Sequence, residues 1–186
     1  ERNLNVSTDL LIGLPGESAQ SHLQTICDAF SLGFTRIDPI NIRMLDGTSY
    51  ASPESRAKYQ VKVKYRPIFG AYGKYDGQKI FEIEESVRAT KDITEEELNG
   101  FKIVHWLIYF IWNSGIFHNH LRLAQNNGIN PGIIMFSLSH SEHPALKPFF
   151  DEFRQASRKE WFDTPEEMQK HFEKEENFQQ LVEGFA

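Results

Sequence analysis

A short glycine-containing turn carries the strongest chemical pattern in this sequence. Gly13-Leu14-Pro15-Gly16-Glu17 follows an apolar run and precedes a helical pattern. The glycines permit a sharp bend that leaves backbone amides uncovered. Such amides, with the carboxylate of Glu17 near a helix N-terminus, can hold polar groups of a ligand. The turn lacks the lysine of a P-loop, so triphosphate hydrolysis is not expected. An ordinary βα loop that binds nothing is the alternative.

Two pairs of histidines are candidates for metal binding. His118 and His120 would point to different faces of a helix, so they cannot easily share one ion. His140 and His143 lie at a helix entrance, where such residues commonly cap the helix. A zinc site needs three converging ligands, so we predict no metal site. A zinc hydrolase that uses His140 and His143 is kept as a further hypothesis.

Two charged clusters have both a chemical and a structural interpretation. Glu82, Glu84 and Glu85 could supply carboxylates for acid–base catalysis, although nearby Lys79 and Arg88 favour salt bridges on an exposed strand face. A basic run interleaved with tyrosines could hold a phosphate or a stacked base, but a solvated segment with its aromatic rings packed beneath is favoured. The run consists of Arg56, Lys58, Tyr59, Lys62, Lys64, Tyr65 and Arg66.

The glycine turn lies inside a predicted strand–helix–strand unit. Residues 10–12 indicate a buried strand, and apolar residues three or four apart then predict a helix that ends at Gly33. Residues 35–44 predict the next strand, followed by a turn over residues 45–48. One helix between two strands implies parallel pairing. Both turns would then lie at the carboxyl ends of neighbouring strands, where α/β folds bind ligands.

The remainder of the chain changes character near residue 92. Residues 49–76 show no clear periodicity, and residues 79–87 predict a short strand. From Thr94, whose capping box opens a long helix, the pattern is helical. The predicted helices cover residues 95–113, 117–125 and 133–138, a segment opened by Pro144, a segment opened by Thr164, and residues 178–185. We therefore predict two domains, residues 1–92 and 93–186.

Composition restricts the class of protein. The 186 residues are enough for one sizeable domain, or for one domain and an appendage, and at 40% hydrophobic they can form a core. The net charge of −6 argues against a nucleic-acid-binding surface. Cys27 is the single cysteine and fits the apolar stripe of its helix, which excludes a disulfide framework or a thiolate-bound cluster made by this chain alone.

The longest apolar run is about half of the roughly 20 residues that a membrane span needs. No leader is recognisable, so we expect a cytoplasmic protein, and the early strand suggests the continuation of a longer polypeptide.

An ordered set of motifs resembles the carboxyl half of a radical S-adenosylmethionine barrel. The motifs are TDLLIGLPGES, LGFTRID and MLDGT, followed by ASPESRAKY, YRPIFGAYGKYDG and FEIEESVRAT. The later motifs resemble family members with an N-terminal cobalamin-binding domain. The resemblance covers residues 7–92 and implies an α/β fold, the C-terminal part of a (β/α) partial TIM-type barrel followed by an all-helical tail. It also implies S-adenosylmethionine, a four-iron four-sulfur cluster and cobalamin as cofactors of the intact enzyme.

The resemblance transfers few residues to this chain. By the family pattern, Gly13, Leu14, Pro15, Gly16 and Glu17 form an adenosine-side wall. Met44 and Leu45, at the end of the next strand, complete it. The CxxxCxxC cluster motif, the second-strand glycine–glutamate motif, the ribose-binding strand and the D-x-H-x-x-G cobalamin signature are all absent, and Asp46 stands where proline is common.

The resemblance implies that the intact enzyme cleaves S-adenosylmethionine reductively and uses the 5′-deoxyadenosyl radical to abstract hydrogen from a small-molecule substrate. The present chain lacks cluster ligands and is expected to be inactive without the N-terminal part of the same polypeptide. The alternative is a non-catalytic binding or interaction domain that keeps the half-barrel shape.

Overall fold

The chain begins with a strand–helix–strand unit. In the computed structural model, which describes residues 5–184, β1 (Ser7–Ile12) and β2 (Arg36–Asn41) flank the helix α1 (Ala19–Ser31). The strands pair in parallel, with Leu10 opposite Pro39. This confirms the predicted βαβ unit.

Local sequence signals explain the bounds of α1. The hydroxyl of Ser18 accepts a hydrogen bond from the Ser21 N–H at 3.2 Å, and the Ser18 N–H donates to the Ser21 hydroxyl at 2.9 Å. These reciprocal bonds satisfy amides that a helix N-terminus leaves unpaired. Gly33, with a φ of +82°, ends the helix as the sequence predicts. The helix buries Ile26 and Phe30 against the core.

A long hairpin follows, and here the sequence prediction was wrong. Residues 49–76 are not irregular: they contain α2 (Pro53–Tyr59) and β3 (Lys62–Tyr75), which pairs antiparallel with β4 (Gln78–Ala89). Asp76 and Gly77 both have positive φ, at 48° and 79°. This conformation suits a two-residue turn between twisted strands.

Buried ion pairs explain why the charged runs were misinterpreted. Glu84 is only 4% exposed, because Arg43 and Arg66 both pair with its carboxylate. The expected exposed face of β4 is therefore wrong for this residue. Arg56 binds the Glu85 carboxylate through both terminal nitrogens, at 2.8 and 2.6 Å. The salt-bridge interpretation is confirmed for Glu84 and Glu85, but with partners other than Lys79 and Arg88.

Helices make up the remainder of the described chain. They are α3 (Glu95–Leu107), a π-helical segment (Ile108–Asn113), α4 (His118–Asn126), α5 (Pro131–Ser139), α6 (Lys147–Lys159), α7 (Pro165–Glu173) and α8 (Glu175–Glu183). Capping at Thr94, Asn130 and Thr164 is confirmed. Two predictions need correction: the predicted helix over residues 95–113 changes to π geometry after Leu107, and the helix near Pro144 begins at Lys147. The final helix is predicted to end at Phe185, a residue outside the part of the chain that the structure describes.

Two apolar clusters hold these elements together. The larger joins Leu10, Ile37 and Phe30 to residues of α3, including Val104, and to the π-helical segment. The smaller packs α7 and α8 against the hairpin, with Phe178 nearly inaccessible. The larger cluster thus contains residues from both sides of position 92. The two-domain division remains a prediction.

The fold is mixed α/β, with two small sheets. Within residues 5–184, one sheet contains only β1 and β2, the other contains only β3 and β4, and neither closes into a barrel. None of the helices described there is long and apolar enough to cross a membrane.

Candidate functional site at the end of the first strand

The glycine turn after β1 has a conformation that other residues would not easily adopt. Gly13 and Gly16 have φ values of +97° and +78°, a region that suits glycine. A Cβ atom on Gly13 would also lie 3.2 Å from the Cβ of Val87 on β4. The turn therefore passes directly over the end of the hairpin.

The side chain of Glu17 folds back over the turn. Its Oε2 accepts hydrogen bonds from the amides of Gly13 at 2.8 Å and Leu14 at 3.3 Å. The sequence interpretation expected these amides to be uncovered, and for these two it was wrong. The protein's own carboxylate occupies the position that a ligand anion would take.

A chain of buried hydrogen bonds continues from Glu17. The Nδ1 of His22 lies 2.8 Å from Glu17 Oε1, and its Nε2 lies 2.9 Å from the Nε2 of His105 on α3. His22 is fully buried and meets the ring of Phe101 edge to face. Glu17, His22 and His105 thereby link the turn to two helices.

The protonation states follow from these contacts. Burial raises the pKa of Glu17, but the hydrogen bond and charge of His22 and the two amides lower it more, so its pKa is lowered overall. Glu17 is then a carboxylate, and His22 Nδ1–H must donate to it. Burial and the charge of His22 lower the pKa of His105 to about 3. His105 is therefore neutral near pH 7, and one hydrogen lies between the two Nε2 atoms.

Tyr50 supports the turn from the segment after β2. Its hydroxyl donates to the carbonyl of Gly13 at 2.8 Å. Burial, followed by the nearby charge of Glu17, raises the pKa of Tyr50 to about 12. Tyr50 therefore stays protonated and remains a donor over the working pH range.

The predicted site residues differ in their exposure. Leu14, Pro15 and Gly16 are exposed at the surface of the turn, whereas Gly13 is buried. Leu45 is 60% exposed, but Met44 is buried and its amide donates to the carbonyl of Glu85 at 2.8 Å. Both segments lie at the carboxyl ends of the parallel strands. Leu14 and Glu17 also line a groove of about 370 Å³ between β1 and α1.

Sequence reasoning missed the supporting residues His22, His105 and Tyr50. His22 shares the buried stripe of α1 with Ile26 and Phe30, four residues apart, which was an available signal for burial. His105 interrupts an apolar run, which marks it as a polar group that needs a partner. Nothing local in the sequence pairs it with a histidine 83 positions away.

The histidines considered for zinc have structural contacts. His140 Nδ1 lies 2.9 Å from the carbonyl of Phe136, and His143 Nδ1 accepts from the amide of Ala145 at 3.2 Å. His118 packs edge to face on Trp112, and His120 is exposed. Across residues 5–184, no three His, Cys, Asp or Glu residues form a group that could hold a metal ion.

Comparison with known proteins adds no relative. No protein-family model matches this sequence, and no curated protein is significantly similar to it.

Proposed function

We propose that this chain is the C-terminal part of a radical S-adenosylmethionine enzyme and supplies one wall of its adenosine and substrate site. The observation that carries the proposal is the parallel β1–α1–β2 unit, which has turns at both carboxyl ends and, among the described residues, an unpaired edge at β1. Parallel sheets are almost always covered on both faces, whereas one face of this pair is partly exposed. In a barrel, further strands would enclose that face.

The exposed apolar residues of the small parallel sheet support this proposal. Leu10, Ile12 and Ile37 face the helical core, while Leu11 and Ile40 are each 40% exposed. In a barrel, the face that carries Leu11 and Ile40 would line the interior.

The two edges of this sheet differ, which indicates where further strands would pair. The side chain of Asn113 covers β2: its Oδ1 accepts from the Ile37 amide at 3.1 Å and its Nδ2 donates to the Ile37 carbonyl at 2.7 Å. The residue directly after β2 pairs with β4, because the Val87 amide donates to the Ile42 carbonyl at 3.0 Å. In the described chain, β1 pairs with β2 alone. Further strands of a barrel would therefore pair with β1.

The turn residues then take distinct roles. Leu14, Pro15, Gly16 and Leu45 are exposed and would contact the adenosyl group, while Glu17 holds the turn in shape from behind. The wall would contribute shape and apolar surface, with specific polar contacts coming from elsewhere in the enzyme.

The residues present do not fit an iron–sulfur cluster. Such clusters are held by several thiolates, and Cys27 is the only cysteine of the sequence. It is buried in α1, and burial followed by the charge of Asp28 raises its pKa, which disfavours the thiolate. Any cluster would have to be bound by residues outside this chain.

The proposal is tested in the longer polypeptide that contains this chain. After anaerobic reconstitution with iron and sulfide and reduction with dithionite, it is expected to release 5′-deoxyadenosine from S-adenosylmethionine. The control is the same protein without reconstitution. A coding sequence with no CxxxCxxC motif upstream of this chain would contradict the proposal.

The open edge of β1 also favours the alternative, a non-catalytic binding domain in which a partner protein pairs with that edge. This alternative predicts that the longer polypeptide binds a protein partner but gives no calorimetric response to S-adenosylmethionine. A measured heat of binding for S-adenosylmethionine would contradict this alternative.

A further inference from the structure

A second cavity, remote in sequence from the glycine turn, has an unusual charge composition for an acidic chain. It has a volume of about 480 Å³ and lies between the hairpin, the middle of α3, the C-terminal end of α6 and the α7–α8 pair. This volume falls in the range of small-molecule sites. A bulge in β3 between Pro67 and Tyr72 shapes one side of it.

Basic side chains outnumber carboxylates around this cavity. Arg43, Arg66, Lys102 and Lys159 line it, with His171, whereas Glu160 is the one carboxylate among the described lining residues. Glu160 Oε2 already pairs with Lys102 at 2.8 Å and with Arg66 at 3.0 Å. Lys159 has no carboxylate partner within residues 5–184. The buried Glu84 pairs with Arg43 and Arg66, so four cations are matched by two carboxylates and positive charge remains in excess.

Three cations are crowded around Trp161, and two of them, Arg66 and Lys102, line the cavity. Arg66, Arg88 and Lys102 lie 4.6, 4.4 and 5.8 Å from the ring centre of buried Trp161. Burial and the charges of Arg66 and Arg88 lower the pKa of Lys102, against the opposing effect of Glu160. Arg66 and Lys102 share the Glu160 carboxylate, and Arg66 also pairs with Glu84. An anion in the cavity would add a further negative charge beside Lys102 and Lys159 in a partly desolvated place.

Aromatic side chains also line the cavity. Tyr72, Phe162 and Phe172 line it, and these rings pack onto the apolar cluster of α7 and α8. We propose that this cavity binds a small organic anion, with its carboxylate, phosphate or sulfonate group beside Lys102 and Lys159 and its apolar body against Phe162 and Phe172. The proposal is independent of radical chemistry and of S-adenosylmethionine.

The test uses two fluorescent probes of nearly equal shape, 8-anilinonaphthalene-1-sulfonate and the uncharged N-phenyl-1-naphthylamine. The folded chain is expected to bind the sulfonate at least about tenfold more tightly, and Lys159→Gln is expected to weaken that binding about fivefold. Binding of the uncharged probe should not change. Lys170→Gln, an exposed cation on α7 outside the cavity lining, is the matched control.

Two further measurements complete the test. Lys102→Met removes a second cation and should weaken sulfonate binding further, with thermal unfolding used to confirm that the variant is folded. Phenyl phosphate and benzoate then compete with the probe, and the stronger competitor identifies a phosphate or a carboxylate ligand. Equal affinity for the two probes, equal effects of Lys159→Gln and Lys170→Gln, or no displacement by either competitor would overturn the proposal. Such a failure leaves the proposed function unaffected, because no step depends on cluster or cofactor.

Discussion

At the scale of single residues, the candidate site depends on Glu17. Its carboxylate binds two amides of the turn and the ring of His22, so it fixes the turn to α1. His22 in turn contacts His105 on α3. The turn is therefore preorganised by buried polar contacts, which hold a binding surface in one conformation better than a loop held by solvent alone.

The pKa of His105 leads to a prediction about acid stability. In the folded protein its pKa is about 3, against a usual value of 6.5. Below pH 6.5 the unfolded chain binds a proton at His105 that the folded chain does not, so the free energy of unfolding falls as the pH decreases from 6.5 towards 3. The slope from this group approaches about 1.4 kcal/mol per pH unit. Below pH 4.5 the lowered pKa of Glu17 adds to the loss.

Urea unfolding between pH 7 and pH 5 measures this effect. His105→Gln keeps a hydrogen-bonding side chain next to His22 but does not titrate, so its stability should change less with pH than that of the unmodified protein. His120→Gln, at an exposed position of α4, is the control and should retain the original slope. Identical slopes for all three proteins would contradict the assignment.

Residue-level prediction from sequence succeeded where the signal was local. The sharp bend at Gly13 and Gly16 and the caps at Thr94 and Thr164 follow from neighbouring residues. The position of Glu17 was anticipated, but not its bonds to the amides of its own turn. The His22–His105 contact joins distant segments, so no spacing rule could reveal it.

At the scale of elements, the π-helical segment closes one edge of the parallel sheet. Asn113, its last residue, binds both the amide and the carbonyl of Ile37 through one side chain. π-helical turns are uncommon and often occur at functional positions. Here the segment places Asn113 where β2 would otherwise need another strand.

Substitution of Asn113 tests that role. Asn113→Ala should lower the free energy of unfolding by about 1–3 kcal/mol, because it leaves two backbone groups of β2 without partners. Asn119→Ala, at an exposed position of α4, should change stability by less than about 0.5 kcal/mol. Chemical denaturation of both variants provides the comparison. An equal effect of the two substitutions would show that Asn113 does not satisfy the edge of β2.

The missed strand β3 shows why element prediction failed in one region. Val63, Tyr65 and Pro67 alternate with basic residues, which is the period-2 pattern of a strand. The bulge between Pro67 and Tyr72 then shifts the pairing, so no single alternation extends to Tyr75. The helix α2 also had a signal, since Ser52 and Pro53 form a typical helix start.

At the scale of the whole molecule, the two edges of the parallel sheet are unequal. Asn113 and β4 cover β2, whereas β1 pairs on one side only in the described chain. Sequence patterns predicted the parallel pair and the helical character after residue 92. They could not predict that residues from both sides of that position share one apolar core, because such packing depends on tertiary contacts.

The most direct test of the proposed function compares two exposed leucines in the longer, reconstituted polypeptide. Leu45 lies at the proposed adenosine wall and is 60% exposed, whereas Leu123 lies on α4 and is 64% exposed. A glutamate at either position should leave the fold intact. The measurement is the rate of 5′-deoxyadenosine formation at S-adenosylmethionine concentrations below the KM. Leu45→Glu should lower that rate at least about tenfold through a higher KM, and Leu123→Glu should leave it unchanged. Equal rates for the two variants, or no 5′-deoxyadenosine from the unmodified protein, would contradict the proposal.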